Sequence, residues 1–444
     1  MNVLVIGSGA REHAIVWKLL QSPQVRDVWV APGNAGTGMI ARNLDTQVDD
    51  FVGLTQAAKE NRVGLVVVGP ENPLADGIVD FMTAQSLVVF GPTKAAARIE
   101  SSKSFAKDLM VKIGVPCAMG EAFHSASEAK AYIRQRPAAP IVVKANGLAA
   151  GKGVMVAMTK EDAFGAVDYA MEERAFGEAG DTVVVEEFLE GAEVSLMAFT
   201  DGETIVPMVP AKDYKRVSDG DFGPNTGGMG AYSPPSFFGH REIEYATATI
   251  LEPTLHALGK EGSPFRGVLY AGLIITSDGP KVLEFNARFG DPETQVVIPR
   301  LESDLVDIMY ACATGRLKDV KVEWSRDPCA GVVLASGGYP GDYTTGMPIT
   351  GLDTLDDGVL AFHAGTRVYR KHLSRLDALI GNTGRKQSLD EMLSGGIETF
   401  GGRVLTITAK GRTVSEARAK VYSNIDRVKF AGCFYRTDIA GEES

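Results

Sequence analysis

The sequence predicts an α/β fold with three successive parts: an N-terminal parallel α/β domain, a larger domain with a mobile lid, and a small C-terminal α/β domain. Over the first hundred residues, short apolar runs alternate with helical patterns, as is typical of a parallel sheet covered on both faces. From about residue 101, closely spaced β-rich runs predict antiparallel pairing instead. After about residue 326, two further strands and a helix predict the last part.

The composition is that of a globular protein, with 45% hydrophobic and 23% charged residues among 444. The net charge of −11 argues against an electrostatic grip on nucleic acid. No apolar run approaches the roughly 20 residues of a membrane helix, and the N-terminus lacks the pattern of a signal peptide. The four cysteines form no CxxC pair, so we expect reduced thiols in a cytoplasmic protein.

Four apolar runs predict the N-terminal sheet, at residues 3–6, 28–30, 65–68 and 87–90. The last three end in glycine–proline turns, and ligands collect at the carboxyl ends of parallel strands, so we expect a small-ligand cleft there. The first run leads into Gly7-Ser8-Gly9, but Glu12 stands where the dinucleotide fingerprint needs its third glycine, which disfavours a nicotinamide cofactor. The loop either holds a phosphate at a helix N-terminus or is a tight turn without a ligand.

A glycine-rich loop follows the apolar run at 141–144, and another β-rich run at 154–156 follows the loop. The loop runs from Gly147 to Gly153 and is one residue too short for a Walker A motif. It predicts a lid over phosphates, with Gly151, Lys152 and Gly153 in the lid and Lys144 at the end of the incoming strand. The alternative is a flexible hairpin with solvated lysines.

Two segments further along are weaker candidates. Glu186-Glu187-Phe188-Leu189, with Glu193, ends a strand in two carboxylates and apolar side chains, which suits an adenine slot; a solvated strand end is the alternative. A second segment joins Asp213 to a glycine-rich loop at 223–230, whose amides could approach an anion. Disorder is the alternative for that loop.

The strongest candidate follows an apolar strand that ends near residue 286. Glu284, Asn286 and Arg288 share one face by the two-residue period of a strand. Carboxylate and amide oxygens suit Mg²⁺, which takes one or two protein ligands besides phosphates and water. The planar guanidinium of Arg288 suits a phosphate or carboxylate. A structural ion pair is the alternative.

With these motifs in view, the chain resembles the ATP-grasp ligases, and among them the phosphoribosylamine–glycine ligase (glycinamide ribonucleotide synthetase) family. The most specific match is Arg288-Phe289-Gly290-Asp291-Pro292-Glu293-Thr294-Gln295. Further matches are Arg11-Glu12-His13-Ala14, Ala31-Pro32-Gly33-Asn34-Ala35-Gly36, Gly69-Pro70-Glu71, 147–153 and 223–232. The resemblance implies a reaction in which ATP, glycine and 5-phosphoribosylamine give glycinamide ribonucleotide, ADP and phosphate through a glycyl phosphate, in purine synthesis.

The resemblance also implies roles for individual residues. Lys103 and Lys144 would hold ATP phosphates beneath the 147–153 lid, Glu186 to Leu189 and Glu193 would take adenine and ribose, and Glu284 and Asn286 would bind Mg²⁺ or Mn²⁺. The expected contacts to phosphoribosylamine are Gly9, Arg11, Gly33, Asn34, Glu71, Arg288 and Asp291. The expected glycine site consists of Asp213 with Thr226, Gly227, Gly228, Met229 and Gly230, and we expect Arg288 and Asp213 to take part in the chemistry.

The resemblance places the domains at 1–100, 101–325 (with a lid at about 121–190) and 326–444. The chain departs from the family pattern at Ala10, Asn146 and Phe400, and a poorly matched stretch predicts an extra surface element near 370–398. We expect a monomer, with transient contact to the preceding pathway enzyme as a further option. The alternatives are another ATP-grasp ligase of purine metabolism and a nucleotide-binding module without catalysis.

Overall fold

The structure is a computed structural model that describes residues 1–136, 139–149, 153–369 and 396–443. The N-terminal part contains five parallel strands: β1 (Asn2–Gly7), β2 (Asp27–Pro32), β3 (Arg42–Asn43), β4 (Val63–Val68) and β5 (Val89–Phe90). Their order across the sheet is β3-β2-β1-β4-β5, with Ile6 opposite both Ala31 and Val68. The order reverses at β1, so the carboxyl ends of β1, β2 and β4 open into one crevice.

Six helices cover this sheet: α1 (Ala10–Leu19), α2 (Ala35–Ile40), α3 (Phe51–Glu60), α4 (Glu71–Asp76), α5 (Ile78–Ala84) and α6 (Lys94–Ser101). Polar side chains cap several of them, for example Asp50 at the start of α3 and Thr93 at the start of α6. Every residue of β1 is buried, as expected for a strand covered on both faces.

The second part begins with helix α7 (Lys103–Ile113), which Ser102 caps. A four-stranded antiparallel sheet of order β6-β9-β7-β8 follows, with two helices. Its elements are β6 (Gly120–Phe123), α8 (Ala126–Gln135), β7 (Ile141–Ala145), β8 (Val154–Ala157), α9 (Lys160–Val167) and β9 (Val183–Glu187). This subdomain has its own apolar cluster, which includes Ile133, Val143 and Val185. The strand–loop–strand prediction is confirmed, whereas the predicted lid residues Gly151 and Lys152 lie outside the described residues.

The second part also contains another antiparallel sheet, of order β11-β10-β16-β17. Its strands are β10 (Ala192–Asp201), β11 (Ile205–Pro207), β16 (Arg266–Thr276) and β17 (Gly279–Asn286), and β16 and β17 form a hairpin, as the turn residues Ser277-Asp278-Gly279 predict. Shorter strands and helices lie between and after them: β12 (Lys212–Asp213), β13 (Arg216–Ser218), β14 (Phe222–Asn225), β15 (Gly230–Ser233), α10 (His240–Ala246), α11 (Glu252–Lys260), α12 (Thr294–Val297) and α13 (Leu305–Thr314). Leu4 of the parallel sheet and Leu269 of this sheet belong to one apolar core.

The last part contains β18 (Cys329–Ala335), β19 (Pro348–Ile349), β20 (Val359–His363), β21 (Thr366–Val368), β22 (Ile397–Thr399), β23 (Arg403–Lys410) and α14 (Val414–Ile425). Its main sheet has the order β12-β15-β18-β23-β20, so two strands from residues 212–233 pair into it. Residues 370–395 of the predicted extra element lie outside the described residues, and β22 pairs with β19 and β21.

The predicted fold class is confirmed: a parallel α/β domain, a lid-bearing domain with two antiparallel sheets, and a C-terminal α/β part. Within the described ranges, no helix is both long and apolar enough to cross a membrane. The short strand β3 was not predicted, because two residues are too few to show a periodic pattern.

Candidate active site

The expected metal ligands stand at the end of β17, where the strand opens toward the N-terminal domain. Glu284 and Asn286 are two residues apart on this strand, so they share a face as predicted. Burial opposes ionisation of Glu284, but Lys215, Lys144 and Lys103 keep the pKa of its carboxyl below the ordinary value. Among the described residues, no group of three or more acidic, histidine or cysteine side chains could hold a metal. One carboxylate and one amide suit an ion that takes its remaining ligands from phosphates and water.

Two of the lysines near Glu284 are those expected to hold phosphates. Lys103, at the start of α7, donates through Nζ to the carbonyl of Gly147 at 2.9 Å, and burial lowers the pKa of its ammonium. Lys144 donates to the carbonyl of Leu283, next to Glu284, at 2.8 Å. The structure therefore places both lysines close to Glu284, one of the expected metal ligands.

Glu186 is held inside this cluster rather than presented at its edge. Its two carboxylate oxygens lie 2.6 Å from Lys144 Nζ and 2.5 Å from Lys107 Nζ, and only 6% of its side chain is exposed. Burial opposes ionisation, yet the two lysines keep the pKa of the Glu186 carboxyl lowered. Lys107 also donates to the carbonyl of Ala118 at 2.6 Å. A direct contact between the Glu186 carboxylate and adenine or ribose stays a prediction, one that would require the two lysines to release it.

The other residues of the expected adenine slot lie along the exit from β9. Glu187 accepts a hydrogen bond from the backbone N–H of Met119 at 2.8 Å, and Phe188 is exposed. Glu193, at the start of β10, lies 2.6 Å from Lys215 Nζ. Leu189 is half-buried. The roles of these side chains stay predictions.

Arg288 joins three elements of the site. Its Nε lies 3.1 Å from Glu71 Oε2 at the start of α4, and its Nη2 lies 3.1 Å from Glu100 Oε1 near the end of α6. Glu100 also accepts the N–H of Ala287 at 2.8 Å. Burial opposes ionisation of Glu71, but Arg288 and Arg11 lower the pKa of its carboxyl to about 2. The guanidinium is therefore fixed at the boundary between the parallel sheet and β17.

The first loop of the parallel sheet is closed by its own glutamate. Glu12 Oε2 accepts the backbone N–H of Gly9 at 2.6 Å, and Glu12 Oε1 lies 2.6 Å from Arg11 Nε. A Cβ on Gly7, whose φ is +131°, would lie only 2.6 Å from Glu12 Cγ. The Glu12 carboxylate therefore takes the Gly9 amide at this helix N-terminus, which favours the tight turn, and a phosphate contact of this loop stays a prediction.

Arg11 and Asn34 are also engaged within the protein. Arg11 Nη1 donates to the carbonyl of Phe289 at 3.1 Å, which links α1 to residues 288–295, the signature segment. Asn34 Oδ1 accepts the N–H of Thr37 and caps α2, while Asn34 Nδ2 donates to the carbonyls of Ser8 and His363. Gly33 precedes it with φ +72°. The contacts of Gly9, Gly33 and Asn34 with substrate stay predictions.

Asp213 lies in β12 within a group of charged side chains. Burial is the main cause that raises the pKa of its carboxyl to about 7; Lys215 opposes this shift, and Glu293, Glu193 and Glu284 add to it. A carboxyl that titrates near neutral pH is matched to proton transfer. The raised pKa of Asp213 therefore makes it a candidate general base.

The glycine-rich loop at 226–230 does not offer its amides to a ligand in the way that we expected. The N–H groups of Thr226, Gly228 and Met229 donate to Lys215 O, Thr226 Oγ1 and Tyr214 O at 2.7–2.9 Å. The N–H of Gly227 donates to the hydroxyl of Tyr339 at 2.9 Å. These amides are therefore engaged within the protein and fix the backbone beside Asp213 and Lys215, and a contact of the loop with glycine stays a prediction.

Asp291 closes the site on the C-terminal side. Its Oδ2 lies 3.0 Å from Arg403 Nη2, and its Oδ1 accepts from Gln295 Nε2 at 2.8 Å. Burial opposes ionisation, yet Arg403 and Arg11 keep the pKa of the Asp291 carboxyl lowered. Oδ2 is 3.5 Å from where a Cβ on Gly9 would stand, so Asp291 and Gly9 face each other.

The carboxylate of Glu293, within the signature segment, is buried. Ser195 Oγ donates to Glu293 Oε1 at 3.0 Å, and the hydroxyl of Tyr270 donates to the same oxygen. Burial raises the pKa of the Tyr270 hydroxyl, so it remains a donor. This network ties β10 and β16 to the segment that carries Asp291.

Sequence reasoning missed Glu100, Lys107, Tyr339 and Arg403. Only two of them leave a signal in the sequence. Lys107 follows Lys103 by four residues, which places both on one face of α7. Arg403 follows two glycines, which allow a close approach of the backbone.

Three family models match the chain in succession. They describe the phosphoribosylglycinamide synthetase N domain at residues 1–100, its ATP-grasp (A) domain at 101–294 and its C domain at 329–442. Together they cover most of the sequence.

The chain is similar over its whole length to curated proteins. It is 50% identical over 442 residues to the phosphoribosylamine–glycine ligase of Halalkalibacterium halodurans, covering 100% of this chain and 97% of that protein. It is 48% identical to the protein of the same name from Nostoc sp., covering 99% of each. The trifunctional purine biosynthetic protein adenosine-3 of Gallus gallus is also 48% identical, but the match covers 42% of that longer chain.

Two solved structures superpose on the chain, at different levels of sequence identity. A crystal structure of phosphoribosylamine–glycine ligase from Thermotoga maritima superposes with a TM-score of 0.81 at 33% identity, covering 99% of this chain and 100% of that one. The biotin carboxylase domain of the 2-oxoglutarate carboxylase from Hydrogenobacter thermophilus, solved with MgADP and bicarbonate, superposes with a TM-score of 0.68 at 14% identity, covering 99% and 97%. The second match is one of fold alone.

Proposed function

We infer that this chain, which belongs to the phosphoribosylglycinamide synthetase family, is an ATP-dependent ligase that joins glycine to 5-phosphoribosylamine. The products are glycinamide ribonucleotide, ADP and phosphate, and the reaction belongs to purine biosynthesis. The observation that carries this proposal is the meeting of three groups at one place. Lys103, Lys144 and Glu284 lie in the second domain, whereas Glu71 and Arg11 lie in the N-terminal domain. Arg288 pairs with Glu71 and also lowers the pKa of Glu284, so it joins the two sets.

In the first step, a glycine carboxylate oxygen attacks the γ-phosphorus of ATP, and ADP leaves. A glycyl phosphate results. We assign Lys103 and Lys144 to the phosphate oxygens, since both are close enough to lower the pKa of Glu284 and already donate to backbone carbonyls that a phosphate could replace. Positioning and charge neutralisation, rather than covalent chemistry by the protein, then lower the barrier.

Glu284 and Asn286 would hold Mg²⁺, which we favour over Mn²⁺. The ion would neutralise charge on the transferring phosphoryl group when bound. Their hard oxygens and shared strand face fit this ion, and the neighbouring lysines keep Glu284 ionised for it.

In the second step, the amine nitrogen of phosphoribosylamine attacks the glycyl carbonyl carbon, and phosphate leaves. The nitrogen must lose a proton, which we assign to the carboxylate of Asp213 because of its raised pKa. Asp291 lies close to Gly9, and Glu71 lies 3.9 Å from Arg11; we place the ribose phosphate and its amine near these residues, with Arg288 as a cation there. We place glycine near Asp213 and the 226–230 loop.

We keep the division into domains at 1–100, 101–325 and 326–444 as part of this proposal, with a monomer in the cytoplasm. The shared sheet means that residues 212–233 belong to the second domain by sequence and to the last sheet by pairing. Transient contact with the enzyme that supplies the unstable amine stays an option within the proposal.

The experiment is ADP release with Mg-ATP and phosphoribosylamine generated in situ, with glycine present or omitted. We expect release to need both co-substrates, with neither formate nor bicarbonate replacing glycine. Release with formate or bicarbonate would identify another ATP-grasp ligase of purine metabolism. Tight ATP binding without glycine-dependent release would identify a nucleotide-binding module, and either result would refute the proposal.

A further inference from the structure

We propose that Arg403, at the start of β23 in the C-terminal part, is a positioning residue that holds Asp291 and the Gly227–Gly228 backbone in place for the two co-substrates. This inference rests on the proposed function, because it assigns a task to residues that we place against phosphoribosylamine and glycine. It means that the last part of the chain completes the active site.

The guanidinium of Arg403 makes a forked contact that spans two segments. Its Nη2 lies 3.0 Å from Asp291 Oδ2, while its Nη1 donates to the carbonyl of Asp291 at 3.1 Å and to the carbonyl of Gly227 at 2.6 Å. Asp291 is thus gripped by both its side chain and its backbone. A planar guanidinium can serve all three acceptors at once, whereas a lysine ammonium cannot match the fork.

Both oxygens of the Asp291 carboxylate have partners within the protein, which orient it. Gln295 Nε2 holds Oδ1 at 2.8 Å, on the side opposite Arg403. Only 16% of the Asp291 side chain is exposed, and Oδ2 faces Gly9 of the first loop. A carboxylate oriented and ionised in this way can accept a hydrogen bond from an amine at that loop, which is where we place phosphoribosylamine.

The C-terminal part holds the glycine-rich loop by a second contact as well. The hydroxyl of Tyr339 accepts the N–H of Gly227 while Arg403 takes the carbonyl of the same residue. Gly402, next to Arg403, packs so closely on Tyr339 that a Cβ there would overlap the ring. Both polar groups of the Gly227 backbone are therefore fixed by residues from the C-terminal part.

The contacts of Arg403 lie apart from the residues that we assign to ATP. Neither Arg403 nor Asp291 contacts Lys103, Lys144 or Glu284, which we assign to ATP and its metal. Loss of Arg403 should therefore weaken the use of phosphoribosylamine and glycine while ATP affinity is kept. A purely structural role would instead lower all three together.

The test compares Arg403→Met, Arg403→Lys and, as a matched control, Arg412→Met. Arg412 lies in the same part of the chain, its side chain is 89% exposed, and its ion-pair partner among the described residues is Glu416. We expect Arg403→Met to lower kcat/KM for phosphoribosylamine by about 10- to 150-fold, the range of a lost hydrogen-bonded charge contact. The KM for ATP should stay within about twofold. Arg403→Lys should recover part of the loss, and Arg412→Met should match the wild type.

A double variant shows whether Arg403 acts through Asp291. If it does, Arg403→Met added to Asp291→Asn should cost much less than Arg403→Met alone. Full additivity, an unchanged kcat/KM in Arg403→Met, or a parallel loss of ATP affinity would overturn the inference. If Arg403→Met fails to fold, Arg403→Lys with an unchanged KM for phosphoribosylamine and glycine would overturn it. Wild-type protein without glycine-dependent turnover would refute the proposed function, and this inference with it.

Discussion

The raised pKa of Asp213 predicts the pH dependence of the ligase. The pKa of its carboxyl is about 7, against an ordinary value of 3.8. A base acts only when ionised, so about one tenth of the enzyme would be active at pH 6 and about nine tenths at pH 8. We therefore expect kcat/KM for phosphoribosylamine to fall about tenfold for each pH unit below 7 and to level off above it. A carboxyl of ordinary pKa would give no such limb in this range.

The neighbours of Asp213 set the direction in which this limb should move. Lys215 favours the ionised form, so Lys215→Gln should raise the pKa and shift the limb to higher pH. Glu193 opposes ionisation but also pairs with Lys215 at 2.6 Å. Glu193→Gln removes an anion and frees that lysine, and both changes should shift the limb to lower pH. A nearby opposite charge moves a pKa by about one to three units, so shifts near one unit are expected.

The assay is steady-state ADP release between pH 5.5 and 8.5, with phosphoribosylamine generated in situ at each pH. Asp213→Asn serves as the reference, because it keeps the pH dependence of the substrate but has no group to titrate at this position. Loss of a general base typically costs about 10²- to 10⁴-fold, so this variant is assayed at higher enzyme concentration. The reasoning is refuted if Asp213→Asn keeps the acid limb, or if the Lys215 and Glu193 variants shift it in the same direction.

Three further outcomes are expected. Glu284→Gln should lower turnover by orders of magnitude in a folded protein, with partial recovery at high Mg²⁺; near-wild-type activity at limiting Mg²⁺ would reject the metal assignment. Lys107→Met should lower ATP affinity and destabilise the protein by about 2–4 kcal/mol, because it leaves a buried carbonyl unpaired and Glu186 with one lysine; unchanged thermal unfolding and ATP titration would contradict this. Gly228→Ala should lower both stability and turnover, because φ is +108° and the new Cβ would overlap a proline; Gly114→Ala, with φ +73° and open space, is the control for backbone strain alone.

The longer regular elements could be predicted from periodicity, because each of them repeats its apolar pattern, whereas a two-residue strand such as β3 could not. The hairpin of β16 and β17 is an example, since Asp278 and Gly279 mark the turn between two apolar runs. The pairing of β15 with β18 could not be predicted in this way. The two strands lie nearly a hundred residues apart, and nothing in either run specifies its partner.

The residues of the site could be predicted in the same way where they are close in the sequence, and not where their partners are distant. Glu284 and Asn286 sit on one strand, so the two-residue period places them on one face, whereas Arg288 follows two residues beyond the end of that strand. Lys107 and Arg403 are single cations whose acceptors come from distant segments, and in the sequence they resemble solvated surface residues. Glu12 shows the limit of motif reading: its presence disfavoured a dinucleotide, but only the fold shows that its carboxylate fills the loop.

The sheet that joins β12 and β15 to β18 and β23 imposes an order on assembly during synthesis. The lysines, Glu284 and the parallel sheet all precede residue 290, so they can fold while the rest of the chain is still being made. The glycine-rich loop and Asp291 gain their contacts with Arg403 only after β23, which is synthesised much later. An incomplete chain would therefore possess the groups assigned to ATP but not the fixed seat for the acceptor amine. If Arg403 acts as we propose, efficient use of the acceptor amine depends on the last strand to be synthesised in this sheet.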